Sequence, residues 1–339
     1  MSFDRVQRSA CGKVILCGEH SVVYGRPAIA LPVSHLRTQA SIWANYPQTA
    51  DDVEADAACI DIIAPDINTR FKLHTRPQHP LSRIVQLTTE FVAQHPHPIA
   101  GIPQRAPQPT LNCCYSLKVR SEIPVGSHLG SGAAASMACA RAVAEYWGHE
   151  LTPADASDLV YEIEKIHHGT PSGIDNTVIA YEQPVWFVKG EPPHVLSELD
   201  IDFEHDLTLV IADTGLSAPT KMVVAAVWAN WQKDTATYER YFDQIAVLVK
   251  HAREALQHND NHILGKLMTE NQSILRRMGV SCLELDHLCI TAQRAGAWGA
   301  KLSGGGRGGN MIALARDHHH ARYLRRQLLL SGAKRVWIT

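Results

Sequence analysis

Gly169 and Pro171 break an amphipathic helix between two carboxylates, and no other stretch of this chain constrains its fold and chemistry as tightly. The run from Thr152 has helical periodicity. It must stop at this break, because glycine adopts dihedrals that other residues avoid and proline cannot continue a helix. Ser172 stands where a cap belongs, which predicts a second helix beginning near Gly173. Glu164 then projects from the end of one helix and Asp175 from the first turn of the next. A carboxylate near a helix N-terminus is held ionised by the local dipole. Two acids on adjoining elements suit a metal ligand plus a base. They suit a capped helix with surface acids equally well, and these residues alone leave both readings open.

The chain has 339 residues, enough to bury a large core and to form two lobes, with a boundary expected at 1–195 and 196–339. A net charge of −2 gives no reason to expect nucleic acid or an acidic membrane as a partner. No apolar run approaches about 18 residues and no charged-then-apolar leader opens the sequence, so a soluble cytoplasmic protein is expected. The eight cysteines include the neighbours Cys113 and Cys114 but no C-x-x-C pair, and they read as reduced and mostly buried. Among the 19 histidines, His318–His320 and the pair His95 and His97 lack spaced Cys or His partners and read as solvated surface.

Short strands are expected at Val14–Cys17, Ala28–Val33 and Leu36–Ala44, and a polar loop from Tyr46 to Asp56. Leu81–Gln94 has helical periodicity, His95–Pro109 is a proline-rich loop, Leu111–Arg120 a strand and Gly132–Trp147 an alanine-rich helix. Thr152, Pro153 and Asp155 mark the start of the next helix. Apolar runs follow at Val185–Val188 and Thr208–Ala212, with a polar, proline-containing join between the lobes. Helices are then expected at Thr220–Trp231, Tyr238–His258, Ile263–Met278 and Leu285–Ala295. The end reads strand, helix, strand at Asn310–Ala315, Asp317–Leu330 and Arg335–Ile338. Strands and helices without regular alternation indicate an α+β fold.

Three loops carry small residues. Pro124–Ser136 follows a strand and opens a helix, where small residues admit a ligand and the free amides of the helix start attract anions. That is phosphate-binding chemistry, although close helix packing explains the small residues as well. Lys301–Gly309 contains G-x-G-x-x-G by letter count. It enters a strand near the end of the chain instead of opening a helix in a βαβ unit, so it is not a dinucleotide site. It reads as a tight loop whose backbone approaches a ligand. The first loop, Gly18–Gly25, adds Lys13, Glu19 and His20, which gain weight only beside the other two.

Together these stretches resemble the GHMP kinases, and within them the mevalonate kinases. Gly12–Gly25 is similar to that family's opening motif. Glu164–Asn176 matches every fixed position of its E-x-x-x-H-G-x-P-S-G-x-D-N stretch. Asp213-Thr214-Gly215 with Pro219-Thr220-Lys221 resembles its G-x-x-x-x-T-[KR] segment, and Lys301–Gly309 its K-L-T-G-A-G-G-G-G motif. The resemblance implies a two-lobed fold, an N-terminal lobe of ribosomal-protein-S5-like type and a C-terminal α+β lobe, with ATP and substrate between them. It implies phosphorylation of the mevalonate 5-hydroxyl by Mg²⁺-ATP, and a homodimer. Asp175 and Lys13 would be the reacting pair. Gly126, Ser127, His128, Leu129, Gly130, Ser131 and Gly132 would cradle the ATP phosphates. Lys13, Glu19, His20 and Gly306 would meet the substrate, and Glu164 would ligate Mg²⁺.

Two departures stand out. The family reads G-L-G-S-S in the phosphate loop and its second Ser ligates Mg²⁺. Here Gly132 stands in that place, which leaves Ser131 or water to substitute. Arg307 replaces a glycine and either adds a phosphate contact or points outward. Lys13 and Arg307 are the main basic groups of the cleft motifs, which suits a small hydroxy acid better than a diphosphate ester. The alternatives are an enzyme acting on phosphomevalonate or diphosphomevalonate, and a silent metabolite-binding relative.

Overall fold

Residues of high β propensity near the start of the chain build two long strands where three short ones were expected. The structure, a computed structural model, describes residues 5–45, 60–102, 114–169, 171–191, 194–195, 207–216 and 218–339. β1 (Arg5–Cys17) lies antiparallel to β2 (Ala28–Asn45). The two expected runs in β2 are one strand, because a register shift opposite Cys11 and Gly12 absorbs Ser34–Leu36. The expected Tyr46–Asp56 loop lies outside the described residues.

β3 (Ile60–Ala64) and β4 (Thr69–Lys72) form a hairpin that sequence reading did not anticipate. β3 is a short apolar strand that pairs parallel with β5 (Cys114–Ser121), a long-range contact that local pattern cannot show. With β6 (Val185–Phe187) and β7 (His194–Val195) the sheet order is β4-β3-β5-β2-β6-β7, and β1 pairs with β2. Four helices pack with this sheet: α1 (Pro80–Gln94), α2 (Ser131–Tyr146), α3 (Pro153–His168) and α4 (Ile174–Tyr181). α2 sits on β1 and β2, and its alanines are buried around most of its circumference. α4 packs on α2, α3 and β1.

The second sheet runs β11-β8-β10-β9, all antiparallel, from β8 (Leu209–Asp213), β9 (Gly299–Ser303), β10 (Asn310–Leu314) and β11 (Arg335–Ile338). Its helices are α5 (Thr220–Lys233), α6 (Thr235–Gln257), α7 (Asn261–Arg277), α8 (Leu283–Arg294) and α9 (His318–Leu330). α7 touches β9 through bare backbone, since a Cβ on Gly299 would lie 1.9 Å from the Gly265 carbonyl. β9 is a correction, because Lys301 to Ser303 are strand and not loop. The glycine run is the turn of a β9–β10 hairpin. The mixture of two sheets and their helices is the expected α+β class.

The two sheets meet where β1 contacts β9, and α6 reaches β1 and β2. Tyr24 stacks on Phe242 of α6 at 4.2 Å, and Arg26 pairs with Glu239 and Asp243 of the same helix. The segment after β1 is therefore anchored from both sides. Among the described cysteines Cys11, Cys17, Cys139 and Cys289 are buried, and burial pushes the first three thiols up to about 12. His95, His97, His318 and His319 are exposed as expected. His320 departs from that reading, because its ring accepts from the Arg316 amide and bonds the Ala295 carbonyl.

Candidate active site

Lys13 is in β1, where the strand passes beneath the start of α2. Its amide donates to the Leu129 carbonyl at 3.0 Å, and its stem runs against Gly130. A Cβ on Gly130 would lie 3.1 Å from the Lys13 Cγ and 2.9 Å from Ile179, so only glycine lets loop, strand and α4 converge here. The Lys13 ammonium, almost fully buried, meets the Asp175 carboxylate at 2.9 Å. Asp175 is in the first turn of α4, as expected. The N-cap of α4 is Gly173 at φ 96°, and Ser172 only accepts from the Ile174 amide at 3.4 Å. That corrects the expected cap: a left-handed glycine turns the chain, and the serine sits one residue earlier. At its other end α4 is gripped by Arg141 of α2, which donates to the Ala180 carbonyl at 2.7 Å.

Glu164, buried on α3, lines the same cleft as Lys13 and Asp175. Gly126, His128, Gly130, Ser131 and Gly132 line it from the phosphate loop. α2 begins at Ser131 with Gly130 as a left-handed N-cap and no side-chain cap, so the amides of its first turn are open to an anion. Ser127 and Leu129 do not line the cleft. Ser127 is buried, with its hydroxyl on the Pro124 carbonyl and its own carbonyl accepting from Asn310, and Leu129 is core.

Glu19 and His20 also reach the cleft. His20 has φ 63° and ψ −48°, and the Ser21 amide donates to the Glu19 carbonyl at 2.7 Å. That is a γ-turn of the strained hand, a conformation that neighbours must hold in place. Glu19 does so through a buried ion pair with Lys301 of β9. Burial raises the Glu19 carboxyl, and Lys301 opposes that rise. His20 Nε2 bonds the Gly305 carbonyl at 3.0 Å, and burial lowers the imidazole to about 4.

Two loops from the first sheet and one hairpin from the second thus enclose a single cleft with an ion-paired lysine, three acids and an uncapped helix start. The GHMP kinases N terminal domain matches residues 102–183, and the GHMP kinases C terminal domain matches residues 252–333. A mevalonate kinase of Thermococcus onnurineus is 34% identical over 321 residues, spanning 92% of this chain and 89% of that protein. The chain belongs to the mevalonate kinase family of the GHMP kinases. A mevalonate kinase of Pyrococcus abyssi is 31% identical, over 91% of this chain and 88% of its own. The crystal structure of L. major mevalonate kinase in complex with R-mevalonate has a TM-score of 0.78 at 28% identity, covering 98% of this chain and 94% of that one. Methanococcus jannaschii mevalonate kinase shares the fold, with a TM-score of 0.75 at 22% identity and coverage of 99% and 98%.

At the hairpin turn the structure chooses between the two readings of Arg307. Arg307 points outward: it is exposed, its amide donates to the Val280 carbonyl, and its guanidinium donates to the Gly279 carbonyl at 3.2 Å. Gly306 does not line the cleft, because its open side faces the Val280 carbonyl. Gly304 and Gly305 line it instead. The second lysine of the cleft is Lys221, which with Thr220 starts α5. The T-[KR] segment read from the sequence carried that signal, but no site role was assigned to its lysine. His128 is a further departure, since G-L-G-S-S has glycine at its position. Both His128 (φ 64°) and Arg307 (φ 53°) keep the left-handed backbone that glycine adopts freely.

Proposed function

We propose that this chain transfers the γ-phosphoryl group of ATP to the 5-hydroxyl of (R)-mevalonate, giving 5-phosphomevalonate for isoprenoid synthesis. The observation that carries this reading is the 2.9 Å Lys13–Asp175 pair at the floor of a cleft that also holds an uncapped helix start. Phosphoryl transfer is mostly positioning and charge neutralisation. Asp175 orients the primary hydroxyl and takes its proton as the new O–P bond forms and the bond from the γ-phosphorus to the bridging oxygen breaks, releasing ADP. Lys13 stabilises the alkoxide character of that oxygen and the charge on the transferring group. The amides at Ser131 and Gly132 receive phosphate oxygens. His20, with neutral imidazole, faces the hydroxy-acid chain.

Glu164 and Ser131 are the groups that would hold Mg²⁺. Among the described residues no three His, Cys, Asp or Glu cluster as a cation cage. Mg²⁺ is commonly bound by one or two carboxylates together with substrate phosphates and water. Mg²⁺ supplies charge neutralisation at the phosphates. Division into lobes at 1–195 and 196–339, a homodimer and a cytoplasmic location belong to the same proposal. Among the described residues no helix is long and apolar enough to cross a membrane.

The test offers mevalonate, 5-phosphomevalonate, 5-diphosphomevalonate, homoserine and galactose separately with ATP, and identifies products by phosphorus NMR. Phosphorylation of mevalonate without decarboxylation is expected, and Asp175→Asn should lower kcat by about 10²–10³ while retaining nucleotide binding. Preference for another acceptor would overturn the substrate assignment. Wild-type turnover by Asp175→Asn would remove that residue from the mechanism.

A further inference from the structure

Gly305, in the turn of the β9–β10 hairpin, holds a histidine by each of its backbone polar groups. Its amide donates to His128 Nδ1 at 3.2 Å, and its carbonyl accepts from His20 Nε2 at 3.0 Å. His128 belongs to the phosphate loop and His20 to the loop facing the substrate. Both rings are carried on left-handed backbone, at φ 64° and 63°, where non-glycine residues are strained. The other ring nitrogen of His128 lies 3.2 Å from the Ala218 carbonyl. Because Nδ1 accepts, Nε2 carries the proton and donates, so the imidazole is neutral with both nitrogens engaged by backbone.

The fit around the His128 ring is close. A Cβ on Gly305 would lie 3.2 Å from its Nδ1 and Cε1, one on Gly304 3.1 Å from its Cβ, and one on Gly309 3.1 Å from its Cγ. Three glycines of the second sheet's hairpin thus form a socket for a side chain of the first sheet's phosphate loop. A ring so placed presents no free nitrogen to a phosphate.

We infer that His128 is a positioning residue that acts through Gly305, clamping the phosphate loop and the His20 turn to one hairpin so that the γ-phosphate and the acceptor hydroxyl are held in register. The inference rests on the kinase reading above. Reacting atoms need a separation near 3–3.5 Å, and a misplacement of about 1 Å costs about 100-fold in rate. Each ligand, by contrast, binds its own loop and is little affected when the loops drift apart.

The test uses His128→Gly, which suits the left-handed backbone but removes the ring, and Gly305→Ala, which keeps the ring but fills its socket. Each should lower kcat about 10- to 100-fold. Dissociation constants for a non-hydrolysable ATP analogue and for mevalonate, measured separately by calorimetry, should move by less than about 3-fold. The double variant carries the residues of the G-L-G-S-S and K-L-T-G-A-G-G-G-G motifs at both positions, and should recover the melting temperature lost by Gly305→Ala and most of the lost rate, because the added methyl then occupies the vacated socket and holds the loops together. A general loss of folding would lower the calorimetric stoichiometry in step with the apparent kcat, and that outcome would also overturn the clamp. Nucleotide affinity falling by the same factor as kcat/KM would make His128 a phosphate ligand and overturn the clamp. So would wild-type kcat in either single variant. Absence of mevalonate turnover by the wild-type chain would instead overturn the kinase reading itself.

Discussion

His20 is neutral because of where the fold puts it. Burial lowers its imidazole from 6.5 to about 4, while the Gly305 carbonyl and the γ-turn hold the ring in place. A lowered histidine means that the unfolded chain binds the extra proton first as pH falls. The stability contributed by the neutral ring is therefore fully present above about 6.5 and is lost as pH falls toward about 4. The amount is about 3 kcal/mol at most, from 1.36 kcal/mol per pKa unit. Urea midpoints measured between pH 7 and 4.5 should fall in the wild-type chain and fall less in His20→Asn, which tolerates positive φ. Parallel curves for the two would show that His20 is not the titrating group.

At the scale of elements, the start of α2 lacks the hydroxyl that the family motif carries there, while α3 keeps its carboxylate. Gly132 in the first turn of α2 brings an amide but no hydroxyl, so Glu164 on α3 is the main protein ligand expected for Mg²⁺. Glu164→Gln should raise the Mg²⁺ concentration needed for half-maximal rate by about 10-fold or more, in line with the cost of losing a charged oxygen ligand. Gly132→Ser should lower it, since serine is well tolerated near a helix start. A Mg²⁺ titration of turnover checks both, and a Glu164→Gln curve lying on wild type would end the metal assignment. Thr152 shows the same logic in a cap that sequence alone revealed: its hydroxyl accepts from the Asp155 amide at 3.1 Å, as the Thr-Pro-x-Asp pattern predicts.

Across the whole molecule, the Glu19–Lys301 pair joins the first sheet's substrate loop to the second sheet's β9, with both side chains essentially buried. Breaking such a pair on one side strands a charge, whereas neutralising both sides does not. Lys301→Met should cost about 3–5 kcal/mol, and Glu19→Gln with Lys301→Met should regain most of it. Denaturant melts of the two variants decide this. A double variant no more stable than Lys301→Met would mean that the pair does not behave as a unit. The Ser303 hydroxyl reinforces the same seam, accepting from the Ile15 amide and donating to the Ile15 carbonyl at 2.9 and 3.0 Å.

The sequence by itself determined the α+β class, most helices to within a turn, and the motifs carrying Lys13, Glu164 and Asp175. Those features depend on local periodicity, caps and breaks, which are written over a few residues. Helix α5 through helix α9 and strand β11 were legible for that reason. The β3–β4 hairpin, the fusion of two runs into β2 and the strand character of Lys301 were not, because each depends on a partner strand or helix distant in sequence. Within the site, sequence placed the loops but not the directions of their side chains. Arg307 and Gly306 turned away, Ser127 and Leu129 went into the packing, and Lys221 turned in. Whether Glu164 and Asp175 were site groups or surface acids was left open by their own stretch. The tertiary structure lines one cleft with both acids and brings Lys13 of β1 to within 2.9 Å of Asp175, a contact set by strand pairing and helix packing and not by neighbours in the chain.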